Sequence, residues 1–260
     1  MMCELNICHL YPDLLNLYGD RGNVITIQKR CEWMGIRANV STVSMGDPFD
    51  AGKYDVVFIG GGQDYEQGIL QPDFVEQKGA EVRSYIEDGG VLLTICGGFQ
   101  LLGNFYRTSE GKELKFLGVL DFASFGGDRR MIGDLVFQSD FLKTETPNSD
   151  ILVAFENHSA KTVLGPGVKP FGHVLRGFGN NGDDQTEGVQ YKNTIGSYGH
   201  GSLLPKNPAL ADHLIKTALQ RKYGNTDAFV KLDDTVENLA HSTVYEKAMR
   251  TKKRYTEAVS

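Results

Sequence analysis

Residues 91–103, Val-Leu-Leu-Thr-Ile-Cys-Gly-Gly-Phe-Gln-Leu-Leu-Gly, constrain the fold more than any other stretch. A continuous apolar run breaks at a thiol, meets two glycines and resumes as Phe-Gln-Leu-Leu, the pattern of a buried strand turning sharply into a helix. Such a turn pushes one side chain out of the packing and leaves backbone N–H groups beside it. Cys96 holds that place, and the free N–H groups and dipole of a helix start favour thiolate over thiol. The alternative reading is a small buried cysteine before a plain turn.

The surrounding pattern has an α/β rhythm. Strands are expected over 3–10, 36–43 and 54–59, with helices over 24–34 and 73–87. The strand over 54–59 opens onto Gly60-Gly61-Gly62. Two parallel strands then deliver the triple glycine and the Cys96 turn at their carboxyl ends, where ligands of open α/β sheets bind. The helix after Cys96 is expected to end near Tyr106. Beyond it come strand-like pieces over 116–122, 131–138, 151–156, 173–176, 187–191 and 194–198, read as antiparallel extensions. A helix is expected over 208–223, and a polar last helix over 233–257 whose thin apolar stripe, Val236, Leu239, Ala240 and Val244, suits docking on a partner.

A net charge of −6 argues against a nucleic-acid surface. No apolar run reaches membrane-spanning length and the first residues lack a signal-peptide pattern, so the expected location is cytoplasmic. Cys3, Cys8, Cys31 and Cys96 show neither disulfide nor metal-ligand spacing, and no metal is expected.

A cysteine nucleophile needs a base and a site that stabilises the oxyanion formed on a carbonyl. Of the six histidines, His200 fits best, because it follows an apolar strand and lies between Gly199 and Gly201. The oxyanion donors would be the N–H groups of Gly97 and Gly61. A plain turn or a phosphate loop is the alternative for the triple glycine, but neither dinucleotide-binding nor Walker spacing follows it.

Phe-Ile-Gly-Gly-Gly at 58–62, the Cys-Gly-Gly-Phe-Gln elbow at 96–100 and Ser-Tyr-Gly-His-Gly-Ser-Leu-Leu-Pro-Lys-Asn at 197–207 together resemble a class I, triad-type glutamine amidotransferase domain of the cobyric acid synthase-like branch. Leu-Asn-Leu-Tyr-Gly-Asp-Arg-Gly-Asn at 15–23, Ala-Phe-Glu-Asn-His at 154–158 and Phe-Gly-Asn-Asn at 178–181 resemble, within that branch, the glutaminase subunits of lipid II isoglutaminyl synthase. The resemblance spans about residues 3–225. It implies a flavodoxin-like three-layer α/β sandwich with a central, mostly parallel sheet and antiparallel extensions, as a domain over 1–225 with a helical extension over 226–260.

The resemblance implies that Cys96 attacks the side-chain amide of L-glutamine while His200 protonates the departing ammonia and then activates water. Arg130 would pair with the substrate α-carboxylate, with Arg129 as fallback, and Gln100 would hydrogen-bond substrate. Ammonia would pass to a MurT-like Mur-ligase subunit, which carries ATP and Mg and amidates the α-carboxyl of D-glutamate in the lipid II stem peptide to D-isoglutamine. No cofactor is expected on this chain. Alternatives are a glutaminase serving another carboxylate such as a corrinoid, and a non-catalytic amidotransferase-like scaffold. One position departs from the triad pattern: Ser202 stands where many relatives carry a glutamate that orients the histidine. The orienting carboxylate is therefore expected from elsewhere, from the partner or from Glu156 or Asp134.

Overall fold

A computed structural model describes residues 3–143 and 148–250. The first half alternates as expected: β1 (Glu4–Leu10), α1 (Arg21–Trp33), β2 (Arg37–Val43), β3 (Val56–Ile59), α2 (Asp64–Pro72), α3 (Gly79–Glu87), β4 (Val91–Ile95) and the short α4 (Gly97–Gln100). Strands then dominate: β5 (Phe105–Arg107), β6 (Glu113–Lys115), β7 (Phe122–Phe125), β8 (Met131–Gln138), β9 (Ile151–His158), β10 (Lys161–Leu164), β11 (Gly172–Arg176), β12 (Thr186–Glu187), β13 (Val189–Tyr191) and β14 (Thr194–Ser197). Two helices close the described chain, α5 (Pro208–Tyr223) and α6 (Thr235–Arg250).

The central sheet runs β13-β14-β4-β3-β1-β2, parallel except for β13 at its edge. Every position of β3 and β4 is buried, so both faces of the sheet are covered and the strands read as unbroken apolar runs. Chain order reverses between β1 and β3, which places the loop after β1 beside the triple glycine at the carboxyl edge of the sheet. Two antiparallel-rich sheets, β10-β7-β5-β6 and β12-β11-β8-β9, form the expected extensions. The second is tied to the end of β14 by reciprocal backbone bonds between Phe155 and His200, at 2.6 and 3.3 Å.

Three expectations need correction. Helix begins at Asp64, not Asp73, with the Glu66 carboxylate accepting from the Gln63 N–H at 3.0 Å, and it reaches α3 through a π-helical turn at Asp73–Gln77. That first segment is only nine residues long and carries Gly68 and Pro72, which read in sequence as helix breakers. The elbow helix stops at Gln100, because the carbonyls of Leu101 and Leu102 accept from Leu117, Val119 and Leu120. The same bonds hold 116–120 as an irregular ribbon, so the strand expected over 116–122 starts only at Phe122. Of the expected last helix, residues 251–257 lie outside the described residues.

Segment 226–250 is fastened to the rest of the chain. Arg30, buried in α1, donates from Nε to Asp212 of α5 at 2.8 Å and from Nη1 to Asp234 at 2.7 Å. Ala248 of α6 packs on Val136 of β8 and Val153 of β9, while Val236 and Leu239 remain exposed. Arg30→Met strands two carboxylates in a low-dielectric setting and should cost about 3 kcal/mol of stability, read as a lower denaturant midpoint with an unchanged slope.

Candidate active site

Cys96 sits on a backbone that L-residues avoid, with φ 47° and ψ −109°, between the end of β4 and the start of α4. Two anchors hold it there: its N–H donates to Ser197 O at 2.8 Å and its carbonyl accepts from the Gln100 N–H at 3.0 Å. Gly97 and Gly98 are required by close approach. A Cβ on Gly97 would lie 2.7 Å from Gly62 O, and one on Gly98 would lie 2.6 Å from Gly60 O. Strained backbone over-determined by its surroundings is typical of functional turns.

His200 follows β14 and is wholly buried. Its Nδ1 lies 3.2 Å from Asp20 Oδ2, and its Nε2 has no nitrogen or oxygen partner among the described residues. Burial alone disfavours the imidazolium, but the Cys96 sulfur and the Asp20 carboxylate outweigh it and raise the His200 pKa to about 10. Gly61 packs against the same ring, since a Cβ there would lie 2.5 Å from His200 Cε1. The structure thus brings Cys96, His200, Gly61 and Gly97 together.

The carboxylate that faces His200 Nδ1 is in this chain, and it is Asp20. It is fully buried at the switch between β1 and β3, and its Oδ2 also accepts from the Gly61 N–H at 2.8 Å. Neither expected alternative reaches His200. Glu156 accepts from the N–H groups of Phe178 and Gly179 at 2.7 and 2.9 Å, and Asp134 faces Lys247 at 3.8 Å. Because its N–H is committed to Asp20, Gly61 is not a free oxyanion donor in this state. Gly97, at a helix N-terminus, has no intrahelical acceptor for its N–H.

Gln100 also differs from expectation. It is buried, accepts from Gln67 Nε2 at 2.7 Å and donates to the Tyr198 hydroxyl at 2.9 Å, so its amide joins α2 to the strand end that carries His200. Gln67 Nε2 in turn donates to Gly97 O at 3.0 Å, which pins the elbow. His158 is a packing residue, stacked on Tyr198 with ring centroids 3.7 Å apart. Arg130 is exposed at the start of β8 and donates from Nε to Asn157 Oδ1 at 2.5 Å. Arg129 and Arg130 both line a cavity of about 390 Å³ with Lys161, Phe178 and Asn181.

Glu187 steadies the strand end from behind. Its Oε1 accepts from Ser197 Oγ at 2.6 Å and from the Tyr198 N–H at 2.9 Å. Burial pushes its pKa up from 4.5 to about 7. The folded state then holds this proton more tightly than the unfolded chain, so the stability contributed by Glu187 is full below pH 4.5 and is lost as pH rises through about 7. Glu187→Gln should remove about 3 kcal/mol of that pH dependence, measured as the difference between variant and wild-type unfolding free energies from about pH 5 to about pH 8.

Comparisons with known proteins follow the same lines. The CobB/CobQ-like glutamine amidotransferase domain matches residues 6–208. A relative from Streptococcus pneumoniae, "Lipid II isoglutaminyl synthase (glutamine-hydrolyzing) subunit GatD", is 44% identical over 223 residues, covering 85% of this chain and 83% of the relative. The subunit of the same name from Staphylococcus aureus is 39% identical over 252 residues, covering 97% and 99%. Among solved structures, a glutamine amidotransferase from Thermotoga maritima aligns with TM-score 0.52 at 15% identity, covering 94% of this chain and 92% of its own. PurLQS of the same organism aligns with TM-score 0.51 at 17% identity, covering 85% and 99%. These two likenesses concern the fold. Among the described residues no helix is long and apolar enough to cross a membrane.

Proposed function

The chain belongs to the CobB/CobQ-like glutamine amidotransferase family, and from that premise we propose that it is the glutaminase subunit of a lipid II isoglutaminyl synthase. The observation that carries the reading is the buried Cys96, His200 and Asp20 constellation at the carboxyl edge of a parallel sheet. Cys96 Sγ attacks the side-chain amide carbon of L-glutamine, and the Gly97 N–H stabilises the oxyanion. Gly61 can add its N–H only after leaving Asp20. His200 gives its proton to the departing ammonia, leaving a γ-glutamyl thioester on Cys96. The imidazole then takes a proton from water, whose attack releases glutamate and restores the thiol.

Asp20 acts through His200, fixing the ring so that Nδ1 faces the carboxylate and Nε2 is left for the thiol and leaving group. Arg130 pairs with the α-carboxylate, for which a guanidinium fork is suited. Gln100 acts behind the nucleophile and keeps the elbow and the His200 strand in register. Ammonia is passed to a MurT-like Mur-ligase partner, which uses ATP and Mg to amidate the α-carboxyl of D-glutamate in the lipid II stem peptide. The high identity to two subunits named for that synthase, over most of both chains, favours this acceptor over a corrinoid.

Incubation with 6-diazo-5-oxo-L-norleucine, a diazo-ketone analogue of glutamine, should alkylate the Cys96 sulfur with release of N2, adding the mass of the reagent less N2 to the wild-type chain and nothing to Cys96→Ala. His200→Asn should slow the labelling by about a hundredfold or more. Absence of label on wild type both alone and with the ATP-dependent partner would overturn the reading.

A further inference from the structure

Tyr18 lies in the short turn between β1 and α1, two residues before Asp20, with φ 55° and ψ 24°. Left-handed backbone is costly for a bulky residue and persists where its surroundings hold it. The turn is held by the Leu17 N–H donating to Gly61 O at 3.1 Å, so its shape is tied to the triple glycine. The ring packs edge-on against His200, with centroids 4.9 Å apart. One turn therefore contacts the imidazole twice, through Asp20 at Nδ1 and through Tyr18 on the ring.

The Tyr18 hydroxyl reaches in the other direction. It accepts from Asn157 Nδ2 at 2.7 Å and from Arg130 Nη2 at 3.3 Å, while Arg130 Nε donates to Asn157 Oδ1. These three bonds close a ring that occupies the Nε–Nη2 edge of the guanidinium. Among the described residues Nη1 donates no hydrogen bond, which leaves the Nη1–Nη2 edge for a carboxylate.

We infer that Tyr18 is a positioning residue for glutamine hydrolysis, its ring fixing the His200 imidazole and its hydroxyl fixing the orientation of Arg130. One side chain thereby sets the spacing between the α-carboxylate anchor and the proton-transfer group, which must match the length of glutamine. The inference rests on the glutaminase reading above. It joins the 15–23 and 154–158 stretches, singled out in the sequence, to a shared purpose.

The test compares wild type, Tyr18→Phe and Tyr18→Leu in the full-length chain with its synthase partner. In Tyr18→Phe the ring stays and the hydroxyl's bonds from Arg130 and Asn157 are lost, so KM for glutamine should rise about tenfold with kcat within about twofold. Inactivation by 6-diazo-5-oxo-L-norleucine, which carries the α-carboxylate, should slow by a similar factor, and alkylation by iodoacetamide, which lacks it, should not change. Tyr18→Leu should also lower kcat and shift the pH profile of iodoacetamide alkylation, because the ring contact is gone. An unchanged KM in Tyr18→Phe would overturn the inference, as would equal acceleration of both reagents, the mark of a residue that merely plugs the site. If wild type takes no label from the diazo-ketone either alone or with its partner, the glutamine reading fails, and the inference with it.

Discussion

A single buried carboxylate sets the geometry of this site. Asp20 meets His200 Nδ1 at 3.2 Å and the Gly61 N–H at 2.8 Å, both away from water. Burying an anion is costly unless it is paired and hydrogen-bonded, and here the partners are an imidazole whose proton it helps retain and a backbone donor of the triple-glycine loop. That constraint joins three chain segments far apart in sequence, the loops after β1, β3 and β14. The switch in strand order between β1 and β3 makes the meeting possible, because it opens the crevice into which Asp20 reaches.

The elbow depends on the same packing. Cys96 can hold its unfavourable backbone only because Gly97 and Gly98 let α4 press against the triple-glycine loop. Behind it, Gln67, Gln100 and Tyr198 form a buried polar chain continued by Thr162, which the Tyr198 hydroxyl meets at 2.6 Å. Such chains favour one arrangement, and here the one buried atom of this polar chain without a partner among the described residues is Gln67 Oε1. This one locks the proposed nucleophile to the strand that carries the proposed base.

Much of this was legible in the sequence where the signal is local. An apolar run ending in Cys-Gly-Gly marks a buried strand and its turn, and a histidine between glycines after another apolar strand marks a second site residue at the same edge. Asp20 was not legible, since nothing in its neighbourhood distinguishes a buried carboxylate from a solvated one; the 15–23 stretch stood out by resemblance, but its chemistry depends on strand order. Gln100 was placed one turn beyond Cys96, but its amide turns inward to Gln67, which stands on a short helix that Gly68 and Pro72 hide in the sequence. Glu156 is buried as a site carboxylate would be, yet its hydrogen bonds go to Phe178 and Gly179.

The claim that Asp20, within this chain, holds the His200 proton is tested most directly by following the His200 imidazole with NMR through a pH titration in wild type and Asp20→Asn. Both the Cys96 sulfur and the carboxylate raise the wild-type pKa, to about 10. Removing the carboxylate charge destabilises the imidazolium, so the midpoint in Asp20→Asn should move down toward the ordinary histidine range. An unchanged midpoint would contradict the account and return the search for the orienting carboxylate to the partner subunit.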